Sequence, residues 1–121
     1  MNTAAEIGKM GERLVIDRLR AEGCIIMERN WRHGRYEIDI IASKGGCVLF
    51  VEVKTRSVTG WCSPEEAITP AKCRALTRAA TAYIAQRHLD SDIRFDLAAV
   101  DIFPDGSHQI RYTQSIAECH W

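Results

Sequence analysis

Residues 37–56 read EIDIIASKGGCVLFVEVKTR, and their second half decides the fold. Val48, Leu49, Phe50, Val51 and Val53 form the near-continuous apolar run of a strand buried on both faces. Glu52 and Lys54 interrupt it, and a charge inside a sheet has to be paired or put to use. Gly45-Gly46 in the middle suits a two-residue hairpin turn, which requires positive φ at both positions. With that turn, Lys44 pairs with Cys47, Asp39 falls opposite Glu52, and Glu37 falls opposite Lys54. The two-residue period of a strand then puts all four side chains on one face.

Opposed carboxylates destabilise a sheet unless a proton or a cation lies between them. Magnesium takes one or two protein carboxylates and keeps waters for a phosphate and a nucleophile, so the number of acids suits it. A lysine at position 54 can stabilise charge developing on a phosphate, or orient the attacking water. Read without Asp39, Glu52 and Lys54 are equally a surface ion pair on an edge strand.

The flanking sequence supplies the rest of an α/β domain. Ile7, Met10, Leu14, Val15 and Leu19 recur at helical spacing between Thr3, a capping residue, and Gly23, suited to the left-handed position past the end. Residues 24–29 (CIIMER) read as a strand and Asn30 to Gly34 as a turn; 37–43 and 47–55 are the next two strands. Thr69-Pro70 opens a second helix with an apolar stripe of Cys73, Leu76, Ala80, Tyr83 and Ile84, ending near Leu89. Residues 93–103 and 108–113, joined across Asp105-Gly106, complete the set. The expected order is α-β-β-β-α-β-β, a mixed sheet flanked by helices.

With 121 residues, 46% hydrophobic and 26% charged, the chain fits one domain spanning residues 1–121 with a real core. No segment approaches the roughly 18 to 20 apolar residues of a membrane span, and the N-terminus lacks a secretory pattern, so a cytoplasmic protein without a membrane partner is expected. Five widely spaced cysteines match no zinc ribbon or disulfide framework and read as reduced, mostly buried thiols. Cys119-His120 lies at a chain end, a poor place for a metal site. The 16 basic and 16 acidic residues cancel, yet basic groups dominate residues 53–88 and acidic ones dominate 89–121. A basic face beside an acidic one is one expectation, and ordinary solvated charge is the other.

Taken together, GERL in the first helix, NWRHGRYEIDIIA, VLFVEVKTR, PAK and RFDLAAV resemble the YraN-like family of small bacterial proteins. The resemblance runs from about Gly8 to Val100. That family is similar to the restriction-endonuclease-like superfamily, which includes archaeal Holliday-junction resolvases and other nucleases with a PD-(D/E)-x-K site. The resemblance implies a restriction-endonuclease-like αβββαβ core with a C-terminal strand added. It implies Asp39 and Glu52 as metal-binding carboxylates, the Val53 carbonyl as a further ligand, Lys54 as the catalytic lysine and Mg2+ or Mn2+ as cofactor. Glu12 matches the acid that related resolvases bring from their first helix; without that match it reads as an exposed helix carboxylate. The family usually has glycine before Glu-Ile-Asp, where this chain has Tyr36.

Other candidates surround these. Arg32, Arg35, Arg56, Lys72, Arg74 and Arg78 are candidates to bind a nucleic-acid backbone, the helix-borne ones at spacings that place them on adjoining parts of helix two. His33 reads as a phosphate contact or a solvated turn residue. Trp31 and Trp61 suit stacking on bases or packing at the sheet edge. Glu37 reads as an ion-pair partner of Lys54 or as an aid to the metal, and Asp96 as a cap, a partner of Arg94 or a member of the site. The expected function is a metal-dependent nuclease hydrolysing DNA phosphodiester bonds, directed by structure rather than sequence, with a homodimer expected by analogy alone. The alternatives are a non-catalytic nucleic-acid- or partner-binding module of the same fold, and a structural domain in which Asp39, Glu52 and Lys54 form a buried ion network.

Overall fold

The computed structural model describes residues 3–58 and 69–116. Helix α1 (Ala4–Ala21) is followed by strands β1 (Ile25–His33), β2 (Tyr36–Lys44) and β3 (Cys47–Ser57), helix α2 (Pro70–Arg87), and strands β4 (Asp92–Ile102) and β5 (His108–Thr113). This is the expected order. The strands form one sheet in the order β1-β2-β3-β4-β5, antiparallel except for the parallel pair β3 and β4. A parallel pair needs a crossover, and α2 supplies it.

Local chemistry explains the element boundaries. Thr3 and Glu6 form a reciprocal capping box at the start of α1, satisfying two donors that a helix start leaves open. Thr69 caps α2 by accepting from the Lys72 N–H, with proline in the first turn. Gly45 and Gly46 have φ of 55° and 79°, the left-handed pair of a type I′ hairpin turn, and Lys44 pairs with Cys47.

The sheet separates two cores. On one side Val15, Ile16 and Leu19 of α1 pack on Ile40, Ala42, Leu49, Val51, Ala98 and Val100. On the other, Leu76, Ala79, Ala80 and Tyr83 of α2 pack on Ile38, Ile41, Val48, Phe50 and Phe95. Strand β3 is therefore buried on both faces, as its apolar run requires. Trp31 belongs to the second core, its ring edge-on to Tyr83 at 5.1 Å between centroids.

Three expectations change. Asn30 does not start a turn: β1 continues to His33, with Asn30 held inside it at φ 50°, a conformation asparagine tolerates better than most residues. The thiols are not all reduced, because Cys73 is disulfide-bonded, whereas Cys24 and Cys47 are free. The acids of residues 89–121 do not all belong to a surface face. Asp101 is buried between Arg56, at 2.8 Å, and Arg111, at 3.2 Å, and Asp96, fully buried, takes a two-pronged bond from Arg94. Tyr112 Oη donates to Asp96 at 2.6 Å and the Ser115 N–H at 3.0 Å, so this acid ties β5 and the segment after it to β4. Of its three readings, Asp96 fits the ion-pair partner.

Helix α1 meets β3 at Gly11, where an added Cβ would lie 1.8 Å from Thr55 Oγ1 and 2.8 Å from Thr55 Cβ. Gly11→Ala should therefore destabilise the protein by about 1–3 kcal/mol in urea unfolding, outweighing the gain of about 1 kcal/mol from better helix propensity. Adding Thr55→Ala should recover part of the loss. Gly11→Ala with parental stability contradicts the close approach.

Candidate metal and phosphate site at a strand fork

The ladder between β2 and β3 runs from Lys44–Cys47 to Ile40–Val51 and ends there. Beyond it β2 stays paired to β1 through Tyr36, and β3 stays paired to β4 through Ser57. The next residues, Asp39 and Glu52, face each other across the opening fork. At this point β2 also changes face: Ile38 packs with the α2 core and Ile40 with the α1 core, against simple alternation. The distortion coincides with left-handed Asn30, which lies between the Arg29–Ile40 and Trp31–Ile38 pairs of β1 and β2.

The fork leaves the Val53 N–H without a strand partner, and Asp39 Oδ2 accepts from it at 2.8 Å. A side chain thus completes the backbone bonding that the parting strands abandon. Glu52 is buried. Its Oε2 pairs with Lys72 Nζ at 3.2 Å, while its Oε1 has no hydrogen-bond partner among the described residues. Asp39 can bond to it only when one of the two carboxyls carries a proton. Burial, then the charge and contact of Asp39, push the Glu52 carboxyl up to about 7, with Lys72 pulling in the opposite direction.

Glu12 approaches from the other helical layer. Its carboxyl is raised first by burial and further by the charges of Asp39 and Glu37, while a hydrogen bond with Asn30 opposes the shift. Because the strands part here, α1 and α2 both reach one point, α1 through Glu12 and α2 through Lys72. Among the described residues no three His, Cys, Asp or Glu side chains are grouped closely enough to hold a metal ion. The arrangement is a carboxylate pair with a third acid nearby. One or two carboxylates are what a magnesium-class ion takes from protein, with water completing its shell, and the partnerless Glu52 Oε1 suits such an ion. Asp39 and Glu52 therefore fit the cofactor. Lys54 lies two residues beyond Glu52, half-buried on β3.

The remaining candidates divide. Glu37 lies opposite Arg32 on β1 and pairs with it at 2.9 Å; it is not a ladder neighbour of Lys54, because the fork has opened before that position. Arg56 is held by Asp101, and Lys72 by Glu52. Arg74, Arg35 and Arg78 are exposed on α2 and at the β1–β2 turn. Tyr36 joins two of these elements: Arg78 donates to its hydroxyl at 2.8 Å, and the guanidiniums of Arg35 and Arg78 lie 5.7 and 5.9 Å from its ring centre. The two arginines hold the phenol below its usual pKa, first through their hydrogen bonds. His33 stacks on Trp31 and bonds Gln86 at 3.2 Å. Trp61 and Cys119-His120 lie outside the described residues. The positive φ of Asn30, the arginine contacts of Tyr36 and the Lys72–Glu52 contact are not expected from the sequence, although asparagine's tolerance of positive φ is a usable signal at position 30.

A helix, three antiparallel strands, a crossover helix and a strand parallel to the third, with an acid pair at the fork, agree with an α/β nuclease-like fold. The sequence signature described as "Uncharacterised protein family UPF0102" matches residues 11–100, and the chain belongs to that family, the one to which the YraN-like resemblance points. It is 44% identical over 94 residues to a UPF0102 protein of Bacteroides fragilis, covering 78% of each chain. It is 43% identical over 95 residues to one of Flavobacterium psychrophilum, covering 78% of this chain and 80% of the relative. With a UPF0102 protein of Oleidesulfovibrio alaskensis it shares 46% over 94 residues, which is 77% of this chain and 46% of that longer protein.

The raised Glu52 has a pH signature. An unfolded glutamate releases its proton near 4.5, and the folded one near 7. The stabilisation is thus complete below pH 4.5 and is lost as pH rises through 7. In chelator, the parent should lose about 2 kcal/mol between pH 5.5 and 8 from this group. Glu52→Gln should flatten the slope, with a residue left by Glu12, whose shift has the same sign. Equal slopes in urea titrations of both proteins would contradict the buried carboxylate pair.

Proposed function

We propose that this chain is a metal-dependent nuclease that hydrolyses DNA phosphodiester bonds, recognising DNA by shape and backbone rather than by base sequence. The observation that carries this reading is the meeting of Asp39 and Glu52 at the fork, with Lys54 next along β3 on the same parity as Glu52. A pair of acids at this depth is unfavourable by itself, and a divalent cation would reverse that penalty. Bound there, magnesium or manganese would supply Lewis acidity and a water activated for attack on phosphorus. The chain's own groups have separable tasks. Asp39, fixed by the Val53 N–H, and Glu52 would hold the cation, with Glu12, whose carboxyl feels the charge of Asp39, as a third acid on the α1 side. Lys54 offers a positive charge to the phosphate oxygens as negative charge grows in the transition state. Arg35, Arg74 and Arg78 provide exposed cations for the flanking backbone, which carries no base information.

A second reading has its own support. Lys72 already neutralises Glu52, and Tyr36 replaces the glycine usual in the family, which fits a nucleic-acid- or partner-binding module that keeps the fold without cleavage.

Linear, flapped and four-way DNA incubated with magnesium, manganese or chelator distinguishes the two. The nuclease reading expects metal-dependent scission of at least one substrate, abolished by Lys54→Ala. Metal at about 100 times its dissociation constant should stabilise the parent by roughly 2.7 kcal/mol, and Asp39→Asn should lose most of that gain. Since Asn can still accept from the Val53 N–H, the metal-free Asp39→Asn protein should be as stable as the parent or more so. A parent whose melting ignores millimolar manganese, with an Asp39→Asn variant that unfolds more easily, would favour a structural network.

A further inference from the structure

Lys72 was read as one of several cations along α2, yet its ammonium lies inside the site. It stands in the first turn of α2, its own N–H bound by the Thr69 cap at 3.1 Å, and its Nζ is 3.2 Å from Glu52 Oε2. Glu52 is buried and its other oxygen has no hydrogen-bond partner among the described residues, so Lys72 supplies the positive charge that this acid receives from α2. We propose that Lys72 is a tethered counter-ion that holds Glu52 through Oε2 in the metal-free protein and that competes with a divalent cation for this carboxylate. This inference rests on the metal site of the proposed function.

Electrostatics favour the exchange and geometry permits it. An ammonium on Oε2 and a divalent ion at Oε1 of the same carboxylate repel each other, most where screening is weak. The lysine can leave, because its four-carbon stem is flexible and its side chain is 40% exposed, against 8% for Glu52. Its anchor stays in place, since Thr69 holds the backbone rather than the ammonium. Lys72 is thus a positioning residue that acts through Glu52. It orients the acid and opposes the protonation that burial favours while no metal is bound, and it lowers apparent metal affinity as a consequence.

The test is calorimetric titration of Mg2+ into the full chain at pH 8.5, where Glu52 has lost its proton and proton competition drops out. Lys72→Met keeps the length of the side chain and removes the charge. It should bind Mg2+ about fivefold more tightly than the parent, the scale set by loss of one partly exposed ion pair. Lys72→Arg should restore parental affinity. A role confined to helix packing would move the melting temperature of Lys72→Met without tightening Mg2+ binding. If the parent binds Mg2+ and Lys72→Met binds it equally or more weakly, the counter-ion inference is overturned and the metal site stands. If neither parent nor variants bind Mg2+, the metal site fails and the inference with it. Circular dichroism of each variant establishes that the titrated protein is folded; should Lys72→Met fail to fold, Lys72→Gln provides the same neutralisation.

Discussion

The bond from the Val53 N–H to Asp39 Oδ2 is the interaction on which the rest of the site depends. Two antiparallel strands that part in mid-sheet leave donors and acceptors exposed along both inner edges, and each one buried without a partner costs roughly 1–3 kcal/mol. Here the first orphaned donor of β3 is answered by a side chain of β2. The strands can then diverge without a local penalty, and the price of the acid in the sheet is offset by a bond that fixes its position. Glu52 is brought opposite Asp39 by the same register, because Ile40–Val51 is the last pair before the opening.

The fork also explains why both helical layers take part. A continuous sheet would separate α1 from α2 by its full thickness, and no side chain of α1 would feel a charge that belongs to the α2 side. Glu12 nevertheless senses Asp39, while Lys72 holds Glu52. Charges elsewhere in the chain are arranged differently. Asp96 and Asp101 are buried with arginines that satisfy them, and they anchor β4 and β5. Asp39 and Glu52 instead face each other, with one oxygen of Glu52 unsatisfied. The contrast between satisfied and unsatisfied buried acids separates framework from candidate site within one sheet.

Much of this was readable in the sequence because it follows from local rules. Gly45-Gly46 announced the hairpin and its register, the apolar run of β3 announced a strand buried on both faces, and Thr69-Pro70 announced the start of α2. The resemblance to the family carried the acids and the lysine in the same order. What escaped depended on which residues meet in space. Asn30 has the composition of a turn, and only its place across from the fork shows why a strand residue adopts positive φ there. The expected Glu37–Lys54 pairing extrapolated a ladder that ends three residues earlier, and periodicity alone does not say where strands stop pairing. Lys72 looked like one more basic residue on a helix, because the crossover that returns the start of α2 to β3 is a tertiary event. Asp101, one of the acids of the last third of the chain, is likewise paired with Arg56 once β3 and β4 lie side by side.

The central claim is that the carboxylates at the fork hold a divalent cation, and the most direct measurement is an anomalous difference map from a crystal soaked in manganese, recorded at the manganese absorption edge. A single peak between the Asp39 and Glu52 carboxylates, within coordinating distance of Glu52 Oε1, is the predicted result. A map without a peak at the fork at saturating manganese, with Lys72 still paired to Glu52, would contradict it.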